Sequence, residues 1–125
     1  FSVALNDKLH YDNLIIAPVH NLTNRDSLAQ IADFLLPTEG IDTVIAFGIR
    51  RNKVILSVRS NREGLHVGKI LSSHFPEGLA GGHKSLGGGQ IPFEVIVEKN
   101  EQLDENSHIV IMEETKKLLF DIFTN

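Results

Sequence analysis

The sequence contains no cysteine and no tryptophan, and it has only one tyrosine and one methionine. Without cysteine the chain cannot form a disulfide framework, a thiolate metal site or a cysteine nucleophile, and this composition fits a reducing compartment. No apolar run approaches the roughly 18 residues that a membrane helix needs. No basic segment followed by an apolar one marks an export signal. We therefore expect a cytoplasmic domain that does not contact a membrane.

The composition is that of a single folded domain. The chain has 125 residues, of which 42% are hydrophobic and 22% are charged, as in ordinary globular domains. It begins at Phe1 rather than at a methionine, and residues 1–5 already read as a strand. We expect residues 1–125 to form one domain that is a C-terminal fragment of a longer protein.

Charge is segregated along the chain. The net charge is −4, yet residues 50–85 contain seven Lys and Arg against two acids, a net of +5. Residues 1–49 and 86–125 carry net charges of −4 and −5. A basic centre in an acidic chain can mark an anion-binding face, although most single surface charges are merely solvated.

Short apolar runs indicate the strands. Residues 14–17 and 43–47 are compact apolar runs that suit strands covered on both faces. Alternating side chains predict a hairpin of strands 43–49 and 53–59 around a tight turn. Residues 91–97 predict a further strand. The strands alternate with helical patterns, which predicts an α/β fold with a mixed, partly parallel sheet flanked by helices.

Three segments have helical spacing. The first predicted helix has apolar residues at positions i, i+3, i+4 and i+7, namely Leu28, Ile31, Ala32 and Leu35. The second covers residues 67–74 and places His74 as a partly buried residue on its apolar face. The last covers residues 116–123, and residues 109–112 before it fit either a strand or a helix.

The most informative segment is the glycine-rich run at residues 78–89, which holds six of the ten glycines. A glycine backbone can turn sharply and bring its N–H groups against an oxyanion. His83 and Lys84 lie inside the run, and both side chains can donate to a phosphate. The spacing matches neither a Walker loop nor the dinucleotide-binding fingerprint. The run is therefore either a phosphate-binding loop or a surface loop with structural glycines.

A second candidate is the polar segment that ends the second hairpin strand. Arg59, Ser60 and Asn61 stand at its carboxyl end, where ligands commonly bind in α/β sheets. The planar fork of arginine suits phosphate oxygens, and Ser60 or Asn61 can add neutral hydrogen bonds. Ser60 or Asn61 can equally cap the helix that follows, and one residue can do both.

Together the two segments resemble a known family. Val58-Arg59-Ser60, a helix, and then Gly81-Gly82-His83 with a glycine cluster resemble the DHH-associated domain. That domain is the carboxyl-terminal half of DHH phosphoesterases, which include RecJ-like nucleases and the oligoribonuclease/pAp-phosphatase group. A similar module is appended to alanyl-tRNA synthetase. In this chain Leu79 and Ala80 stand where the family commonly has further glycines.

The resemblance implies a substrate-binding lobe. In DHH enzymes an amino-terminal lobe holds two Mn²⁺ or Mg²⁺ ions, and the carboxyl-terminal lobe closes over the substrate. This chain contains no Asp-His-His, so the resemblance implies no catalytic residue, metal site or cofactor in this fragment, which alone should be inactive. The implied substrate-binding residues, with Asn61 added from the strand-end pattern, are Arg59, Ser60, Asn61, Gly81, Gly82, His83 and Lys84.

The principal hypothesis is therefore the binding lobe of a metal-dependent phosphoesterase. The implied partners are its own N-terminal DHH domain and a phosphate-containing nucleotide, short single-stranded nucleic acid or polyphosphate-like anion. It requires Arg59 and His83 to line one concave anion site. Two alternatives remain: a stand-alone nucleic-acid or nucleotide-binding module without hydrolase activity, and a generic α/β interaction domain. The scarcity of aromatic residues speaks against the first of these. His66, near the basic segment, is a further candidate ligand residue.

Overall fold

The computed structural model describes residues 7–97 and 107–125, and it shows one mixed sheet. The six strands lie in the order β1-β2-β3-β4-β6-β5. Strands β2 and β3 are parallel, and all other neighbouring strands are antiparallel. The predicted α/β class with a partly parallel sheet is confirmed. The strands are β1 Leu9–Tyr11, β2 Leu14–Val19, β3 Thr43–Arg50, β4 Lys53–Ser60, β5 Ala80–Gly82 and β6 Leu86–Pro92.

Helices cover both faces of the sheet. They are α1 Asp26–Leu35, α2 Val67–His74, α3 Phe93–Ile96 and α4 Ser107–Thr124. α1 packs on one face with the cluster that includes Ile15 and Val44, whereas α2 and α4 pack on the other with Ile16 and Phe47. Alternate residues of β2 and β3 therefore enter different cores, which explains their continuous apolar runs. None of the described helices is long and apolar enough to cross a membrane.

The predicted hairpin is present as β3 and β4. Its turn residues Arg51 and Asn52 have φ values of 52° and 60°. Positive φ at both central positions is the mark of a type I′ turn, whose twist matches that of the two strands. The turn lies at one end of β4, and Ser60 lies at the other.

The strand predicted at residues 91–97 is wrong. The strand ends at Pro92, and Phe93–Ile96 form the short helix α3. Proline has no N–H for a further ladder bond, and Pro92 instead takes the N-cap position of α3. The strand begins earlier than predicted, at Leu86, inside the glycine-rich run.

The helices follow the prediction more closely. α1 buries the four predicted apolar residues, and α4 begins at Ser107, so residues 109–112 are helical. His74 is exposed rather than partly buried, because its ring bonds back to the Ile70 carbonyl at 2.9 Å on the outer side of α2. The N-cap of α2 is His66, not Ser60 or Asn61. The strand predicted at residues 1–5 lies outside the described residues.

Candidate functional site

The glycine-rich run is a hairpin rather than a loop. Its strands β5 and β6 pair with each other, and β6 also pairs with β4. Residues 83–85, which we call the tip, are the non-strand part between them. Arg59 pairs with Leu86, and the Ser60 N–H donates to the Ser85 carbonyl at 2.9 Å. The backbone therefore brings the end of β4 beside the tip, although they are more than 20 residues apart in sequence.

The tip is docked on the N-terminus of α2. The Gly68 N–H donates to the His83 carbonyl at 2.8 Å, and the Val67 N–H donates to the Lys84 carbonyl at 3.0 Å. The Lys69 N–H donates to His66 Nδ1 at 3.2 Å. Because these donors at the helix start already have acceptors, they do not form an oxyanion site. The side chains of all three tip residues, His83, Lys84 and Ser85, are exposed and remain as possible donors.

Two neighbouring glycines of β5 differ in what surrounds them. A Cβ on Gly82 would lie 2.4 Å from the Cα of Gly87, so the close approach of the two strands requires glycine there. A Cβ on Gly81 would meet nothing within 4 Å. Gly81 pairs with Gly88, and Gly88 pairs with Ser57. Paired residues share a face, so these glycines continue the α1 side of the sheet as a strip without side chains.

Arg59 is held in place by three acceptors. Its Nε donates to Asp33 Oδ1 of α1 at 3.0 Å, and its Nη1 donates to Ser57 Oγ at 3.3 Å and to the Val58 carbonyl at 3.0 Å. The Arg59 side chain is 19% exposed, whereas that of Asp33 is 63% exposed. The ion pair is therefore partly screened by solvent. It nevertheless orients the guanidinium over the side of the sheet that α1 covers.

Ser60 belongs to a directional chain of hydrogen bonds. Thr43 Oγ1 donates to Asp42 Oδ1 at 2.8 Å, which uses its one proton. The 2.9 Å bond between the two hydroxyls must then run from Ser60 to Thr43. Ser60 Oγ also accepts from the Arg62 N–H at 3.1 Å, and Asn13 Nδ2 donates to Asp42 Oδ2 at 2.6 Å.

These hydrogen bonds give Ser60 a positioning role. Its hydroxyl is buried, with the residue 3% exposed, and its proton is already donated. It therefore fixes the end of β4 without offering a donor to a phosphate oxygen. The neighbouring Asn61 has an exposed side chain, and its N–H donates to the Asp42 carbonyl at 2.9 Å. Asn61 thus keeps a side-chain amide available at the same end of the strand.

A family model decides the identity of the fold. Residues 11–111 match the model of the DHHA1 domain. The chain belongs to the DHHA1 domain family. This confirms the resemblance to the DHH-associated domain, and DHHA1 domains generally accompany an N-terminal DHH domain in DHH-family phosphoesterases.

One curated relative of this DHHA1 domain is an uncharacterised protein of Methanocaldococcus jannaschii. It is 36% identical over 88 residues, which cover 70% of this chain and 18% of that protein. The chain therefore spans less than a fifth of the length of the curated relative that it matches.

Solved structures share the fold of this DHHA1 domain. An exopolyphosphatase-related protein from Bacteroides fragilis aligns with a TM-score of 0.58 and 16% identity, over 94% of this chain and 34% of that one. A pGpG-specific phosphodiesterase from Vibrio cholerae gives 0.54 and 13%, over 92% and 37%. The C-Ala domain of Aquifex aeolicus alanyl-tRNA synthetase gives 0.58 and 17%, over 95% and 99%.

Some residues of the DHHA1 domain that surround Arg59 were not identified from the sequence. Ser57 stands two residues before Arg59, so strand alternation alone could have placed it on the same face. Asp33 had no such signal, because its contact with Arg59 depends on how α1 crosses the sheet. In residues 7–97 and 107–125 no group of three or more His, Asp or Glu side chains could hold a metal ion.

Proposed function

We propose that this DHHA1 domain is the substrate-binding lobe of a DHH-family phosphoesterase, and that it binds a phosphate group of the substrate where β4 meets the tip. The observation that carries the proposal is the backbone contact between the end of β4 and the tip. It gathers Arg59, Asn61, His83 and Lys84 at one end of the sheet. We call these four residues with Gly81 the proposed phosphate site.

Charge and preorganisation support this assignment. Arginine offers five N–H donors in a planar fork, and the three acceptors around Arg59 restrict its rotamers before a ligand arrives. Less conformational entropy is then lost on binding. His83 and Lys84 can add charge-assisted donors from the tip. Gly81 leaves open space beside them, where a ligand can approach the backbone closely.

The chemical step belongs, in this proposal, to the N-terminal DHH lobe. Two Mn²⁺ or Mg²⁺ ions held there would activate the attacking water and stabilise the leaving oxygen. This chain would hold and orient the phosphate. The substrates proposed are nucleotides, short single-stranded nucleic acids or polyphosphate-like anions, which is consistent with the names of two structural neighbours. The absence of cysteine favours a cytoplasmic location.

Single substitutions test the site. We expect Arg59→Ala and His83→Ala each to weaken binding of a 5′-phosphorylated dinucleotide about tenfold or more, because each removes a charge-assisted hydrogen bond. Arg51→Ala is the matched control, since it also removes one positive charge but lies in the turn at the other end of β4. Titration calorimetry at low salt measures all four proteins. Equal affinities for wild type, Arg59→Ala and His83→Ala would refute the proposal.

A further inference from the structure

A cavity lies next to Arg59, between α1 and the sheet. Its volume is about 260 Å³, and its lining includes the α1 N-cap residue Arg25, Asp26 and Ala29 of α1, and Ser57 and Gln90 from the sheet. We call these five residues the α1 cleft. The cleft adjoins the proposed phosphate site, because Ser57 Oγ accepts a hydrogen bond from Arg59 Nη1.

Ser57 presents an unused donor at the floor of the cleft. The residue is 7% exposed, and its oxygen accepts from Arg59. No acceptor for its own proton is found among residues 7–97 and 107–125. Buried hydroxyl groups normally complete their hydrogen bonds. An oxygen or nitrogen atom of a ligand in the cleft would supply the missing acceptor.

Gln90 supplies hydrogen-bonding groups to the cleft, and the small side chain of Ala29 leaves room in it. Gln90 pairs with Ile55, which packs in the core under α1, so its side chain leaves the sheet on the α1 side. Its exposed amide offers both donors and an acceptor. Ala29 is only partly buried and has the shortest side chain after glycine, which leaves room between the helix and the sheet.

The cleft carries no net charge. Arg25 and Asp26 are adjacent and of opposite sign, and Arg59 beside the cleft is paired with Asp33. By contrast, the tip contains the positively charged Lys84 and no carboxylate among its three residues. A second phosphate would therefore gain little in the cleft, whereas a neutral group with hydroxyl or amine donors matches its mixture of donors and acceptors.

We propose that the α1 cleft is a subsite for the uncharged, hydroxyl-bearing organic group, a sugar or nucleoside, that is esterified to the bound phosphate. The volume lies just below the roughly 300–1,000 Å³ of sites for drug-sized ligands, so it suits one such group rather than several. This inference rests on the proposed phosphate site. It adds that the domain prefers organic phosphate esters to inorganic polyphosphate.

Two ligands and three variants test the cleft. We expect Gln90→Ala and Ala29→Leu each to weaken binding of adenosine 5′-phosphate about fivefold, because the first removes hydrogen bonds and the second fills the space. Both variants should bind inorganic tripolyphosphate within about twofold of wild type, a change too small for a lost hydrogen bond. Arg59→Ala should weaken binding of both ligands. Calorimetry on the full chain gives the affinities, and thermal unfolding checks that each variant is folded.

The outcomes separate the two proposals. If wild type binds neither ligand, or if Arg59→Ala leaves both affinities unchanged, the proposed phosphate site is wrong. The cleft inference is overturned, and the phosphate site stands, if Arg59→Ala weakens binding of both ligands but the cleft variants behave in either of two ways. They leave the affinity for adenosine 5′-phosphate unchanged, or they lower the affinities for the two ligands equally. If the Ala29→Leu variant does not fold, the result for Gln90→Ala decides the test, because the Gln90 side chain is exposed and its removal should leave the fold intact.

Discussion

The residues of the proposed phosphate site reach their positions through bonds to residues outside it. Asp33 and Ser57 restrain Arg59, and the hydroxyl chain from Thr43 restrains the end of β4 at Ser60. Deleting a restraining group would leave the donors present but less well oriented. In such a site a substitution can lower affinity without removing any ligand contact.

Alanine substitutions at the neighbouring glycines Gly81 and Gly82 should differ in their effects on stability and on phosphate binding. Gly82→Ala forces a Cβ against the Gly87 backbone, so we expect a loss of stability of about 1–3 kcal/mol. Gly81→Ala has free space and should keep the stability of wild type. In the proposed site, however, its new methyl group should weaken phosphate binding. Thermal unfolding and calorimetry measure the two effects, and a Gly81→Ala variant with unchanged affinity would remove Gly81 from the site.

At the level of elements, the β5–β6 hairpin was the hardest to predict. Strands are recognised by alternating side chains, and Gly87, Gly88 and Gly89 have none. Their strand conformation comes from tertiary pairing with β4 and β5, which no local pattern encodes. The β3–β4 hairpin was predictable because its residues alternate between two cores. The position of Arg59 at the end of β4 followed directly from it.

The turn of that hairpin offers a stability test. Arg51 has a φ of 52°, a conformation that costs an ordinary L-residue about 1–2 kcal/mol and that asparagine tolerates better. We therefore expect Arg51→Asn to stabilise the fold by up to about 1 kcal/mol. Arg51→Ala removes the same charge without relieving the backbone and should show no gain. Chemical denaturation measures the stability of both variants. An equal gain in stability in both would show that the effect comes from the lost charge.

At the scale of the whole molecule, the class of fold followed from the sequence but the contacts between distant segments did not. Apolar runs and helical spacing predicted a mixed α/β sheet. The contact between the end of β4 and the tip rests on strand order β4-β6-β5, in which β6 enters between two strands that precede it in sequence. Asp33 reaches Arg59 only because α1 crosses the same face.

We expect the 125-residue chain by itself to hydrolyse no phosphodiester in the presence of Mn²⁺. Two-metal hydrolysis requires several carboxylate or histidine ligands around both ions, and the described part of the chain brings no three such side chains together. Incubating the chain with a short single-stranded oligonucleotide and following product release measures this. Turnover at rates typical of enzymes, retained after repeated purification, would show that the chain carries its own catalytic site.

Because two hydrogen bonds join α2 to the tip, hydrogen exchange at the start of the helix reports movement of the tip. The amide protons of Val67 and Gly68 are hydrogen-bonded to the Lys84 and His83 carbonyls, so they exchange with solvent deuterium when these bonds open, as they do when the tip lifts from the helix. A ligand that bridges Arg59 and His83 would join β4 to the tip and make lifting rarer. The exchange rates of these two protons should then slow on binding, which makes occupancy visible at atoms that the ligand never touches.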